Sequence, residues 1–305
     1  AQTFADWEWI IADDTSTDGG LKLLREVAER DARVRPLALE HRGQPAAMRN
    51  EGMRQARGEF FAFLDSDDIW LPEKLELQIA TLAADPALGA AYCWVEEFWD
   101  EAAGITTPAP TIWPRRELPR DAFAALVEFG GIISTSGLVI RRTVWDRVGG
   151  FDEAPELRVG DDTEFILRIA KNFPIARTPG VLVRYRLHAN NITRNVPFSG
   201  TQAIMERLVA RGDLKGRVRD VFLSGFYLSR AEKGLREGAW SAARADFLRS
   251  VWYRPLMMKR WLGVLSVALP GPIFLKLYSG LKQFQVRLQG KRAAPHPFAL
   301  KRGKN

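Results

Sequence analysis

The chain has 305 residues, 46% hydrophobic and 27% charged, which leaves room for one folded domain of about 200 residues and a smaller appendage. Its one cysteine, Cys93, excludes an intramolecular disulfide and a Cys/His metal site, and fits a reducing compartment. The charge is divided: residues 1–200 carry 23 Lys+Arg against 31 Asp+Glu, residues 201–305 carry 21 against 6. An acidic first part without a recognition module excludes an extended nucleic-acid surface.

Trp9-Ile10-Ile11-Ala12 reads as an apolar strand running into Asp13-Asp14-Thr15-Ser16-Thr17-Asp18. Leu21 to Arg30 has the spacing of an amphipathic helix, which Thr17 or Asp18 would cap. Capping does not explain the adjacent Asp13 and Asp14, where carboxylates at a strand end can accept hydrogen bonds from a base N–H or a ribose hydroxyl. Phe60 to Leu64 reads as a second, fully buried strand. It ends in Asp65, Asp67 and Asp68, and repulsion among three carboxylates asks for a cation. A solvated loop with a capping aspartate would need one acid rather than three. Carboxyl ends of strands are where ligands bind in open α/β sheets, and an oxygen-rich cluster suits Mg²⁺ or Mn²⁺ carrying a phosphorylated substrate. Ile69-Trp70-Leu71-Pro72 is then expected to turn into a helix with proline at its first position.

Ala87 to Val95 and Leu138 to Ile140 read as strands, and Arg120 to Phe129 as a helix. Gly104 to Pro119 contains four prolines and is expected to be a loop over an acceptor site. Asp161 and Asp162 open a helix after Gly160, where the positive helix end alone would favour them. Val181 to His188 reads as a strand ending in a histidine. Beyond it, Ala203 to Arg211, Val218 to Glu237 and Trp240 to Trp252 have helical spacing, and Gly238 to Phe247 resembles one helix-turn-helix repeat. Trp261 to Tyr278 is apolar but broken by Pro270 and Pro272 and carries Lys276. With Lys259, Arg260, Lys282 and Arg287 around it, the expectation is a segment lying on an anionic membrane surface rather than crossing it. A helix packed on the catalytic domain is the plainer alternative.

Taken together these motifs resemble the inverting GT-A glycosyltransferases of family 2, which carry a strand ending in Asp-Asp-x-Ser-x-Asp and later a Leu-Asp-x-Asp-Asp element. His41 to Gly52, with Ala47-Met48-Arg49-Asn50, is similar to the family's Asn-x-Gly-x-x-x-Ala-Arg-Asn-x-Gly helix. Gly149-Gly150-Phe151-Asp152-Glu153 matches a further motif, and Asp161-Asp162 stands where the family has an acidic pair whose first member is usually glutamate. Tyr185-Arg186-Leu187-His188 resembles its Tyr-Arg-x-His strand. The resemblance implies an α/β fold of the GT-A type, a mixed sheet flanked by helices, with a helical C-terminal tail. It also implies Mn²⁺ or Mg²⁺ as cofactor, a nucleotide-sugar donor (a uridine diphosphate sugar favoured) and a saccharide or lipid-linked acceptor. Asp162 is implied as general base with Asp161 beside it, Asp13, Asp14, Arg49 and Asp65 as nucleotide-binding, and Asp67, Asp65 and His188 as metal ligands.

Family members normally open with one more strand and helix than precede Trp9 here, so the first βα unit is expected to be missing. The expected organisation is a catalytic domain over 1–200, a basic helical tail over 201–290 on the inner face of the cell membrane, and a disordered end over 291–305. Two alternatives come from other classes. In a haloacid dehalogenase-type phosphatase, Asp65 and Asp67 would be nucleophile and acid, but Asp13-Asp14 and the Arg49 helix would have no role. An inactive remnant would bind a membrane or partner through its tail.

Overall fold

Residues 2–99, 111–114, 117–129, 133–188, 191, 198–236 and 238–255 are described in a computed structural model. They fall in two units, one ending at Leu214 and the other starting at Lys215. The first runs β1 (Trp9–Asp13), α1 (Gly20–Arg30), β2 (Val34–Ala38), α2 (Pro45–Gln55), β3 (Phe60–Ala62), β4 (Ile69–Trp70), α3 (Lys74–Ala84) and β5 (Ala90–Trp99). It continues through β6 (Ile112–Trp113), α4 (Phe123–Phe129), β7 (Leu138–Arg141), α5 (Arg142–Val148), α6 (Asp161–Asn172), β8 (Ile175–Leu187) and α7 (Phe198–Ala210).

Strands β1 and β2 pair in parallel, Trp9 opposite Val34 through Asp13 opposite Ala38, with α1 as the crossover that parallel neighbours require. A second sheet has the order β3-β7-β5-β8-β4, with β6 also on β5. Only β5 and β8 are parallel in it, so the fold is a mixed α/β sheet with flanking helices. Its centre is β5, where Ala90, Ala91, Tyr92, Cys93 and Val95 are all buried, as a continuous apolar run on an interior strand must be. Helix α3 lies on β5 and β8 and closes that face with Leu75 and Leu82.

Three local expectations are corrected. Ile69 and Trp70 do not begin a helix; they pair antiparallel with Arg184 and Val183, and the Leu71 amide donates to Leu182 O. Trp70 packs against Cys93, Val95, Leu182 and Val183. The sheet edge and this apolar contact outweigh the proline signal, and α3 starts only at Lys74. The strand expected to reach Leu64 ends at Ala62, because the chain turns away to present its acids. The residue that caps α1 is Gly19, although Asp18 Oδ1 does accept the Gly20 amide at 2.8 Å.

The second unit contains α8 (Gly216–Arg236) and α9 (Trp240–Tyr253), packed around Ala231, Leu235, Ala243 and Phe247. Gly238, at φ 76°, takes the left-handed position that ends α8, and the Ala239 amide reaches back to Gly234 O at 2.8 Å. Two polar pairs fix the register: Ser224 with Ser250, and Arg230 bidentate on Asp246. Among the described residues no helix is long and apolar enough to cross a membrane. Residues 104–110, 115 and 116 of the expected acceptor loop lie outside the described residues, as do Trp261 to Tyr278 with its flanking basic residues and the expected disordered end.

One core residue is costly. Lys74 is fully buried, its ammonium has no hydrogen-bond partner, and it lies 3.9 Å from the centre of the Trp70 ring. Burial lowers its pKa to about 8, against a smaller opposing effect from Cys93. A lysine that titrates at about 8 when folded and near 10.5 when unfolded penalises the folded state fully below pH 8, and the penalty fades as pH rises towards 10.5. Lys74→Met should therefore raise stability at pH 7 by roughly 3 kcal/mol. Denaturant unfolding at pH 7 and pH 10 checks this, with the gain expected to shrink at the higher pH.

Candidate active site

Asp65, Asp67 and Asp68 lie in the turn between β3 and β4, closed by the Asp68 amide on Asp65 O at 3.0 Å. The α6 terminus brings Asp161 and Asp162, after Gly160 at φ 113°, a left-handed conformation that favours glycine. Arg49 on α2 joins the two places. Its Nη2 donates to Asp65 Oδ1 at 2.7 Å and its Nη1 to Asp161 Oδ2 at 2.9 Å, over the Phe151 ring at 5.3 Å. Phe151 in turn packs on Phe63 and Phe165, so the ion pairs stand on an apolar floor.

Electrostatics follow from that crowding. Burial pushes Asp161 up to about 6, against the Arg49 charge that pulls it down. Burial also raises Asp162, opposed by Arg49 and by hydrogen bonds from Thr163, whose amide donates to Asp162 Oδ1 at 2.6 Å. Asp68 rises to about 7 through burial, with Asp67 and Asp65 pushing the same way against hydrogen bonds from Ser136 and the Arg186 amide. For Arg49, burial works against the charge, but Asp65 and Asp161 hold it above its ordinary value.

At the other end of the turn, His188 Nε2 lies 3.0 Å from Asp67 Oδ2. Arg186 Nε donates to Asp67 O at 2.9 Å. Asn191 Nδ2 is 3.4 Å from the same Asp67 oxygen and donates to Arg186 O at 3.1 Å. The expected trio of Asp65, Asp67 and His188 is not gathered into one cluster: Asp65 turns to Arg49, and among the described residues no group of three or more His, Cys, Asp or Glu could hold a metal. Asp67 and His188 do fit a divalent ion that takes the rest of its shell from phosphate and water, since Mg²⁺ is commonly held by one or two protein groups plus substrate phosphates.

Asp13 and Asp14 lie at the end of β1, where Asp13 is buried and accepts the Ser16 amide at 3.1 Å. Asp14 receives the amides of Arg42 at 2.7 Å and Gly43 at 2.8 Å. Those bonds, with His41 nearby, outweigh burial and hold its carboxyl below the usual range. Asn50 lies in the helix motif, but the contacts that give it a role are tertiary. Asn50 receives the Phe151 amide at 2.8 Å and donates to Phe151 O at 2.9 Å, so it pins the Gly150-Phe151 segment like a missing strand partner; a Cβ on Gly150 would collide with its Oδ1. Asn191 carried no motif that would have found it.

Replacing Arg49 by Met should cost about 3–5 kcal/mol at pH 7, because Asp161 would be left buried and unpaired. Against burial, Arg49 holds the Asp161 pKa down to about 6, so the variant's Asp161 protonates at higher pH, and the loss should shrink as pH falls towards about 6 and level off below it. Unfolding midpoints of both proteins across pH 5–8 give the comparison.

Residues 1–147 match the family described as glycosyl transferase family 2. A UDP-Glc:alpha-D-GlcNAc-diphosphoundecaprenol beta-1,3-glucosyltransferase, WfgD of Escherichia coli, is 42% identical over 81 residues, covering 27% of this chain and 31% of its own. The match spans less than a third of the first curated relatives. Among solved structures, residues 1–349 of S. aureus TarS superpose with a TM-score of 0.62 at 19% identity, over 92% of this chain and 84% of that one. TarS has also been solved with UDP and with UDP-GlcNAc. The mannosyltransferase PcManGT of Pyrobaculum calidifontis, in complex with GDP-Man and Mn²⁺, gives a TM-score of 0.55 at 18% identity, over 92% and 73%. The acidic turn, the Arg49 helix and the strand order accord with these likenesses: the fold is that of the GT-A glycosyltransferases, and residues 1–147 match glycosyl transferase family 2.

Proposed function

We propose that the chain transfers a sugar from a nucleoside diphosphate sugar, with uridine diphosphate favoured, to a hydroxyl acceptor in surface polysaccharide or glycolipid synthesis, with inversion at the anomeric carbon. The observation that carries this is the Arg49 bridge, which brings the acidic turn and the α6 acids to one guanidinium. A leaving group and a base must lie on opposite sides of one sugar carbon, and Arg49 brings acids from the β3–β4 turn and from the start of α6 to one place. The named relatives that use or bind UDP-sugars support the donor class.

A divalent ion at Asp67 and His188 would supply Lewis-acid stabilisation of the diphosphate charge as the bond breaks. Arg49 sets a second positive charge beside Asp65, where a departing diphosphate gains charge. Asp162 takes the proton from the acceptor hydroxyl as that oxygen attacks. Asp161, tied to Arg49, is less free to do so and keeps its neighbour's surroundings charged. One in-line displacement needs no covalent sugar–enzyme bond. Asp13 and Asp14 form the nucleotide end, Asp14 by shaping the Arg42-Gly43 backbone, and the basic tail would hold the enzyme at the cytoplasmic face of an anionic membrane.

Asp67→Ala should abolish Mn²⁺-dependent nucleotide binding, and unchanged binding in calorimetry would refute its metal role. Asp162→Asn should keep donor binding while transfer falls by about 10²-fold or more; full turnover would remove it as the base. Because a base works ionised and burial raises Asp162, the acid limb of the rate profile should lie above the ordinary carboxylate range. Arg49, Thr163 and Asp65 act on it, Asp161 is its charged neighbour, and Arg49→Met should push that limb further up.

A further inference from the structure

Strand β3 pairs antiparallel with β7, Phe60 opposite Arg141, Phe61 opposite Ile140 and Ala62 opposite Val139. Continued by three residues, that register sets Asp65 opposite Ser136. The ladder has stopped by then, yet the Asp65 amide still finds a partner: it donates to Ser136 Oγ at 3.1 Å. Ser136 is completely buried in the short 3-10 turn Thr135–Gly137 that leads into β7. The same hydroxyl, having accepted from Asp65, acts on the buried Asp68 carboxyl by holding its pKa down against burial. Its backbone carbonyl accepts the Trp70 indole N–H at 2.8 Å. The other side of the turn is held by β8, through the Arg186 amide on Asp68 Oδ1 at 3.1 Å and Arg186 Nε on Asp67 O at 2.9 Å.

We propose that Ser136 is a positioning residue for the donor site: its hydroxyl holds the Asp65 amide where the ladder has stopped and so fixes the direction in which Asp65 and Asp67 leave the sheet. Asp68, held by the Arg186 amide, anchors the other end of the turn. The geometry favours this because the hydroxyl stands where a strand carbonyl would have stood, in a turn that must leave the ladder to expose carboxylates. Ser136 itself is completely buried, so its hydroxyl is held in place for this contact. The inference rests on the donor reading above, since the function it serves is metal-dependent nucleotide binding.

Two measurements test it. Hydrogen exchange on the unliganded protein reads the contact itself: in Ser136→Ala the Asp65 amide should exchange faster, while those of Phe61 and Ala62 stay protected. Calorimetry with UDP, with and without Mn²⁺, reads the function: Ser136→Ala should weaken Mn²⁺-dependent binding about tenfold or more. Metal-independent binding should hardly change, and Ser136→Thr, which keeps the hydroxyl, should recover much of the loss. An unchanged Asp65 exchange rate, or equal weakening with and without Mn²⁺, would overturn the proposal. If the unaltered chain bound no UDP in either condition, the uridine donor reading would fall, and the exchange comparison would still decide whether Ser136 holds the turn.

Discussion

One shared guanidinium joins two parts of the candidate site in the first unit. Arg49 is largely buried and contacts carboxylates from two distant parts of the chain, Asp65 and Asp161, 96 residues apart in sequence. Without a cation there, Asp65, Asp161 and Asp162 would be like charges in a poorly solvated space, and the α6 terminus could not approach the acidic turn at neutral pH. The next residue, Asn50, holds Phe151 by two backbone hydrogen bonds. Helix α2 thus secures both the charge that joins the acids and the segment that delivers α6. Placing both contacts on one rigid helix lets a small number of side chains set the site's geometry.

The elements that could be read from sequence are those whose signal is local. The strand before Asp13, the helix after Gly19, the run after Gly160 and the tail helices each carry a period or a terminus that neighbouring residues reveal. Ile69-Trp70 was misread because Pro72 is a strong local helix signal, while the pairing with Val183 and Arg184 lies more than a hundred residues away. Ser136 and Asn191 are single polar residues whose hydrogen bonds are tertiary, and no spacing rule marks them; Asn50 falls in the helix motif, which gives no sign of its hold on Phe151. Asp14 shows the reverse: its position at a strand end was legible, but the two amides it receives were not. The family motifs located the acids; they gave no sign that Asp65 would turn to arginine and leave Asp67 and His188 facing each other.

The second unit is built by a different logic. Its hairpin holds small and aromatic residues between two helices and adds two internal polar pairs, Ser224 with Ser250 and Arg230 with Asp246. Buried polar pairs of this kind contribute more to register than to net stability. The basic excess after residue 200 lies in this unit and beyond it, whereas the acids of the site all lie before residue 190. Charge is thus segregated along the chain, with an acidic excess up to residue 200 and a basic excess after it.

The central claim is that the acidic turn and the α6 acids form one donor site with Asp67 and His188 at its metal end. The most direct measurement is a crystal structure with Mn²⁺ and UDP, using anomalous scattering to locate the metal. The account predicts an anomalous peak within bonding distance of Asp67 and His188, with the diphosphate on its open side near Arg49. A peak elsewhere, or UDP bound away from Asp65 and Arg49, would contradict it.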